Sequence, residues 1–224
     1  MIEKPIAFDE SDLDLIKMEY EKDDFCSLSW SAEHLKVIKQ KIKDYYLSKG
    51  VQNNTCPYCK RDLNTQHGRC WDIEHIIPRS HAKYFMFEPY NLCLSCIDCN
   101  QAKSNKDITV GMLLDSKARV HYPLESAKYK FIHPHFDNYE EHMIIIEEGL
   151  LYWAKTPKGE QTKTICSLDR FQKYVGITDH DSNARMIIAL TNAALAETDF
   201  DTKKKLITDV ASISLKCAVS IHQC

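Results

Sequence analysis

The chain of 224 residues has a formal charge of −3, with 44% hydrophobic and 27% charged residues, a balance that fits a folded globular protein and excludes a disordered charged tail. No apolar run approaches the roughly 18–20 residues that cross a bilayer, and the opening MIEKPIAFDESD has acids where a secretory leader needs an apolar core, so a cytoplasmic protein without membrane contact is expected. The small net charge also excludes a general polyanion binder, which leaves any nucleic-acid contact to a local patch or to a partner.

In chain order, a short helix is expected over residues 11–22, opened by Ser11 or Asp12 and rich in acids in its first turn. A longer amphipathic helix is expected over residues 31–50, where Leu35, Ile38, Ile42 and Tyr45 recur at helical spacing between Ser31 at the start and Gly50 at the end. It carries Lys36, Lys39, Lys41, Lys43 and Lys49, and a solvated helix face is the plainer reading of that run. Residues 51–107 then change character, with six cysteines, three histidines and turn residues such as Asn53, Asn54 and Gly68.

Four of the ten cysteines form two C-x-x-C pairs, Cys56/Cys59 and Cys96/Cys99, with 36 residues between them. Four thiolates held on two tight turns suit tetrahedral zinc, and a site filled by four sulfurs has no open position at which to activate water. Any catalysis would therefore need a second metal. Cys26, Cys70, Cys93, Cys166, Cys217 and Cys224 lack such spacing and read as small buried hydrophobes or bystanders, although Cys70 and Cys93 lie near enough to the frame to be alternative ligands.

Between the two pairs, WDIEHIIPRS reads as a strand that ends at Pro78 and carries Glu74 and His75. Burying two ionisable groups costs several kcal/mol unless something satisfies them. A second short strand near residues 91–94 and a helix opening near Cys99 would set Asn100 and Lys103 on one helical face opposite the first strand. His67 and His81 read as incidental loop histidines. After a linker-like segment through Asp115, HMIIIEEGLLYW reads as a hairpin turning at residues 147–149, and TKTICSL as a third strand after a Pro157-Lys158-Gly159 turn. His133, His135 and His142 cluster without regular spacing, and a second metal there is disfavoured. NARMIIALTNAALAE and TKKKLITDVASISLKCAV read as two packed helices separated by residues 198–201. The resulting class is α+β, with an N-terminal helical segment (1–50), a metal-bearing core (51–110) and a C-terminal small sheet plus helices (111–224) that is expected to be compact with the core.

The text C-P-Y-C, I-E-H-I-I-P-R-S and Y-N-L-C-L-S-C-I-D-C-N-Q-A-K resembles the HNH endonuclease family, whose ββα-metal unit carries an acid-His pair, a middle Asn and a final His or Asn. It departs in having glutamate where aspartate is commoner and asparagine in the last place, which makes that ligand neutral. The resemblance implies hydrolysis of phosphodiester bonds in nucleic acid. It places His75 and Asn91 in the catalytic machinery, His75 as general base and Asn91 orienting the loop and its histidine, with Glu74 and Asn100 as ligands of Mg²⁺ or Mn²⁺. Lys103, beside Asn100 on the helix, and Arg79 are then candidate phosphate contacts. The segment FIHPHFDNYEEHMIIIEEGLLYWAKTPKGEQTKTICSLDR is more loosely similar to the region C-terminal to this unit in Septu-type and retron-associated anti-phage nuclease subunits, which implies an ATPase partner. The rival reading is a zinc-ribbon binding module, or a partner-docking subunit, without catalysis of its own.

Overall fold

The computed structural model describes residues 1–63, 70–111, 121–147, 150–170 and 179–221; His67, Gly68, Cys224 and most of the 147–149 hairpin turn lie outside the described residues. The centre of the molecule is a ββα unit. Strand β1 (Trp71–His75) pairs antiparallel with β2 (Leu92–Cys96) in the register Asp72 opposite Ser95 and Glu74 opposite Cys93, and the helix of the unit, α3 in chain order (Ile97–Lys103), begins where β2 ends. β2 is buried along its whole length, so both its faces and its outer edge need partners. The side chain of Gln52 supplies the edge: its amide nitrogen donates to the Leu94 carbonyl at 2.9 Å and its oxygen accepts the Leu94 N–H at 2.8 Å, which satisfies backbone groups that would be costly to bury unpaired.

On one side of this unit packs the N-terminal segment. Helix α1 (Glu10–Tyr20) is opened by a reciprocal box, in which Asp9 accepts the Asp12 N–H and Asp12 accepts the Asp9 N–H. Helix α2 (Lys36–Leu47) is shorter than the span of residues 31–50 expected from sequence, because two 3₁₀ turns (Ser27–Ser31 and Glu33–Leu35) precede it. Leu35, Ile38, Ile42 and Tyr46 are fully buried. Tyr46, not Tyr45, completes the core stripe; the Tyr45 hydroxyl instead donates to the Lys4 and Pro5 carbonyls at the surface.

The C-terminal part closes the other side. The single turn α4 (Tyr139–His142) leads into β3 (Met143–Glu147), which pairs antiparallel with β4 (Leu151–Ala154). The hairpin is a two-stranded sheet, and the third strand expected from TKTICSL is absent: residues Pro157–Ile165 form helix α5. Thr156 caps that helix by accepting the Gly159 N–H, and Pro157 fills its first position, where a missing N–H costs nothing. The supposed Pro-Lys-Gly turn is therefore a helix start, and Gly159, Thr162 and Ile165 are its buried stripe. Helices α6 (Asp179–Ala196) and α7 (Phe200–Ile221) pack on one another as the two expected helices. They meet the hairpin through a small cluster of Trp153, Leu190, Ala194 and Leu206, with the Trp153 indole N–H donating to Asp209 at 2.8 Å. No helix among the described residues is long and apolar enough to cross a membrane.

Two buried histidines join the halves. His133 Nδ1 accepts the His135 backbone N–H at 3.1 Å, so its Nε2 carries the proton and donates to the Tyr122 hydroxyl at 3.0 Å, which donates in turn to the Tyr90 carbonyl. His135 Nε2 donates to the Leu92 carbonyl at 2.8 Å, where β2 begins. Burial pushes both imidazoles below their ordinary range, and His133 further because His135 and Lys158 are near. Protonating His133 would aim a second donor at the His135 N–H. Neither histidine, nor His142, which bonds Thr156 at 2.8 Å, belongs to a metal-ligating cluster among the described residues.

A Cβ at Gly159 would collide with the His142 carbonyl oxygen and press on Met143 Sδ at 3.0 Å; that backbone clash outweighs the roughly 1 kcal/mol gained in helix propensity, so Gly159→Ala is expected to lose about 1–3 kcal/mol of stability in urea unfolding. Because the folded histidines resist protonation while the unfolded ones take a proton near pH 6.5, their contribution is fully present above that pH and is lost progressively as the pH falls from there toward the lower folded-state values. Calorimetry at pH 7.5 and 5.5, with zinc content checked, should show a lower Tm at the acid value.

Candidate active site and its zinc frame

The Sγ atoms of Cys56, Cys59, Cys96 and Cys99 all lie within 4.8 Å of one another and all four residues are buried. Cys59 and Cys96 are 3.8 Å apart, the edge of a sulfur tetrahedron at a zinc–sulfur distance of about 2.3 Å. Backbone N–H groups of Cys96 and Cys99 point at Cys56 and Cys96 sulfurs at 3.5 and 3.4 Å, and the Arg170 guanidinium at Cys99 Sγ at 3.4 Å. Donors aimed at sulfur, and four thiols crowded beyond any hydrogen-bonding need, fit a thiolate-bound zinc. The first knuckle turns through Lys60, whose φ of 58° lets its N–H reach the Cys56 carbonyl at 2.9 Å, and the hydroxyls of Tyr139 and Tyr152 donate to the Tyr58 and Cys59 carbonyls at 2.9 and 2.6 Å. Cys70 and Cys93 stand outside the cluster.

Cys96 ends β2 and caps α3, and Cys99 lies in the first turn of that helix, so the frame sets the rotation of α3 against β1. Asn100 and Lys103, one helical turn apart, meet Asp72 and Glu74, which share a face of the strand. Lys103 Nζ lies 2.6 Å from Glu74 Oε1 with both side chains 1–2% exposed, and it also donates to the His75 carbonyl at 3.0 Å. The Tyr58 hydroxyl adds a second bond to the same Oε1 at 3.2 Å. Oε2 takes no hydrogen bond from the described residues, and Glu74 lines an open cleft of about 310 Å³ together with His75, Arg79 and Asn100. Burial raises the Glu74 carboxyl above its ordinary value, with Lys103 pulling the other way. The Asn100 amide nitrogen donates to Asp72 Oδ2 at 2.8 Å. Since a carboxylate only accepts, that bond fixes the amide orientation and leaves the carbonyl oxygen as the group Asn100 can offer.

His75, on the opposite face of the strand from Glu74, packs edge-on against Trp30 at 4.6 Å and bonds the Met86 carbonyl at 3.0 Å through Nε2. A carbonyl accepts, so Nε2 is protonated and Nδ1 keeps its lone pair. Burial and the nearby Arg79 charge hold the imidazole well below its ordinary pKa, which keeps it neutral at pH 7. Asn91 is wholly buried and touches only backbone. It accepts the Ile77 N–H at 2.6 Å and donates to the Ile77 and Phe85 carbonyls at 3.2 and 2.9 Å, which clamps residues 76–91 and with them the Met86 carbonyl that orients His75. Arg79 is half-buried, donates to the Ser27 carbonyl at 2.9 Å and lies over the Trp30 ring at 5.6 Å. Lys103 therefore faces inward to Glu74, whereas Arg79 lines the cleft.

Residues 56–106 match the family model of the HNH endonuclease. This segment is an HNH domain. Under a quarter of the chain is matched, and no curated protein and no solved structure matches the chain. Pattern reading missed Asp72 within the segment and the wall that the N-terminal segment adds to it. Asp72 sits two residues before Glu74, where alternation alone puts it on the same strand face, and Trp30, with Lys36, Lys39 and Lys43, lines an adjoining cleft that also contains Asp72, Arg79 and Asn100.

Purified protein is expected to contain one zinc per chain by elemental analysis. Cys99→Ser should lose it and unfold at a far lower temperature, because binding a structural zinc is worth of order 10 kcal/mol to the fold.

Proposed function

We propose that the protein is a metal-dependent endonuclease that hydrolyses phosphodiester bonds of nucleic acid. The observation that carries this reading is the pairing of α3 with β1: Lys103 and Tyr58 engage one oxygen of Glu74, Asp72 engages the amide nitrogen of Asn100, and the two residues line one cleft together with His75. Hard oxygen donors with room for water suit Mg²⁺ or Mn²⁺, and such a cation would neutralise charge developing on the scissile phosphate and its leaving oxygen. His75 takes a proton from the attacking water at Nδ1 while its Nε2–H stays on the Met86 carbonyl. Asn91 keeps that carbonyl in place from a position that touches no substrate. Lys103 holds Glu74 as a buried counter-charge, a positioning role that replaces the phosphate contact expected of it, and Asp72 holds Asn100 in the same way. Arg79, whose charge lines the cleft, remains the phosphate contact.

The likeness of the C-terminal segment to anti-phage nuclease subunits extends this reading to a defence enzyme directed by an ATPase. One feature favours a docked partner of some kind: Ile188 and Leu195 on α6, and Phe200, Ile207 and Leu215 on α7, are all exposed on the helical pair.

Supercoiled plasmid, linear duplex and tRNA incubated with Mg²⁺ or Mn²⁺ should be cut by the parent protein, and His75→Ala, with unchanged zinc content, should cut the preferred polymer about 10²–10⁴-fold more slowly. Asp72→Ala should raise the Mn²⁺ concentration needed for half-maximal rate. Equal activity in His75→Ala would sink the assignment, and no cutting or Mn²⁺ binding by the parent would favour the zinc-ribbon rival.

A further inference from the structure

Helix α2 has two working faces. Ile38, Ile42 and Tyr46 are buried in the core, while Lys36, Lys39, Gln40 and Lys43 line a cleft of about 510 Å³ that also contains Trp30, Arg79, Asp72 and Asn100. Among the described residues four cations thus line this cleft with a single carboxylate, and that carboxylate is engaged by the Asn100 amide. The concentration is local, in a chain whose total charge is −3. Partial burial, together with the nearby Lys36 and Arg79 charges, depresses the Lys39 pKa, as expected where like charges are gathered. Lys36 meets the exposed Glu33 in a surface pair of small value. Lys41, on another face, is paired with Asp9 and Asp12 and lies outside this cleft.

We propose that the Lys36, Lys39 and Lys43 face of α2, continued by Arg79, is a track for the phosphodiester backbone that delivers a nucleic-acid strand to the His75 cleft. The proposal rests on the nuclease reading for the identity of its polymer, but the track lies in the N-terminal segment, outside the HNH domain. Residues 36 to 43 advance about 10 Å along the helix, enough to follow successive phosphates. The track reads charge and not bases. Trp30, the one aromatic ring among the described residues of its wall, is occupied by His75 in a T-shaped contact at 4.6 Å, by Phe87 at 5.7 Å and by the Arg79 and Lys39 cations, so it forms wall and offers no stacking platform.

The test is fluorescence anisotropy of the zinc-loaded His75→Ala protein with short labelled duplex DNA, single-stranded DNA and RNA of one sequence, each titrated over a range of salt. Removing all three charges (Lys36→Gln, Lys39→Gln, Lys43→Gln) should weaken binding of the preferred polymer at least tenfold at about 50 mM salt and flatten the slope of log affinity against log salt by about two to three units for duplex. Lys39 Nζ also donates to the Trp30 carbonyl at 3.1 Å; the pair Lys36→Gln and Lys43→Gln, which spares that bond, should lose about two of those units, and Lys17→Gln on α1 should change neither quantity. Unchanged affinity and slope in a triple variant that keeps its Tm and zinc would overturn the track, as would failure of the parent to bind any of the three polymers. Binding that depends on these lysines in a protein that cuts nothing would keep the track and remove the nuclease; cutting that is indifferent to them would do the reverse.

Discussion

The interaction on which the rest depends is the four-sulfur knot. It ties a turn at residues 56–59 to the point where β2 becomes α3, and Cys96 and Cys99 sit on the two sides of that junction. With the junction held, α3 cannot roll about its axis. A strand advances about 6.8 Å between alternate residues and a helix about 4.5 Å between residues three apart, spacings near enough for Asp72 and Glu74 to meet Asn100 and Lys103 pairwise. Four sulfurs, which as a zinc site would leave no coordination position open, thereby set the geometry of the groups around the cleft.

Those contacts also resolve the cost of burying an acid and a base side by side. Glu74 is compensated by a buried ammonium and a tyrosine hydroxyl on one oxygen, and breaking such a pair leaves an uncompensated charge worth several kcal/mol. His75 is handled in the opposite way. No carboxylate among the described residues bonds it; a backbone carbonyl holds one nitrogen, and burial together with Arg79 discourages protonation of the ring. One strand therefore keeps its acid charged or paired and its base neutral, because its two faces look into different surroundings.

The N-terminal segment does more than cover the core. The carbonyls of Phe25 and Ser27 accept from Lys83 and Arg79, so the chain before α2 is stitched to the loop that Asn91 clamps. Trp30 packs against His75 from the same side. The wall of the cleft is thus shared between the ββα unit and a helix remote from it in sequence, and what lines the approach to His75 is decided by how α2 docks through Ile38, Ile42 and Tyr46.

The sequence by itself determined those features that depend on local spacing. Two C-x-x-C pairs define the knot wherever the rest of the chain goes; the alternation around Glu74 and His75 sends them to different neighbours; and the helical periods of α1, α2, α6 and α7 survive in the fold to within a few residues. Only tertiary structure decided the rest. TKTICSL has the β-branched residues of a strand, but its Ile and Thr side chains are needed on the buried stripe of α5, and Thr156 and Pro157 start a helix ahead of them. Lys103 looks like any surface cation in a list of residues, and it became a buried partner of Glu74 because the knot turned it inward. Asp72 carries no motif, and acquires its role through one hydrogen bond to Asn100. The lysines of α2 read as a solvated face because periodicity shows which side of a helix is polar and not what stands across from it. Charge and chemistry at a site are properties of what is brought opposite, and that is set by packing between segments far apart in the chain.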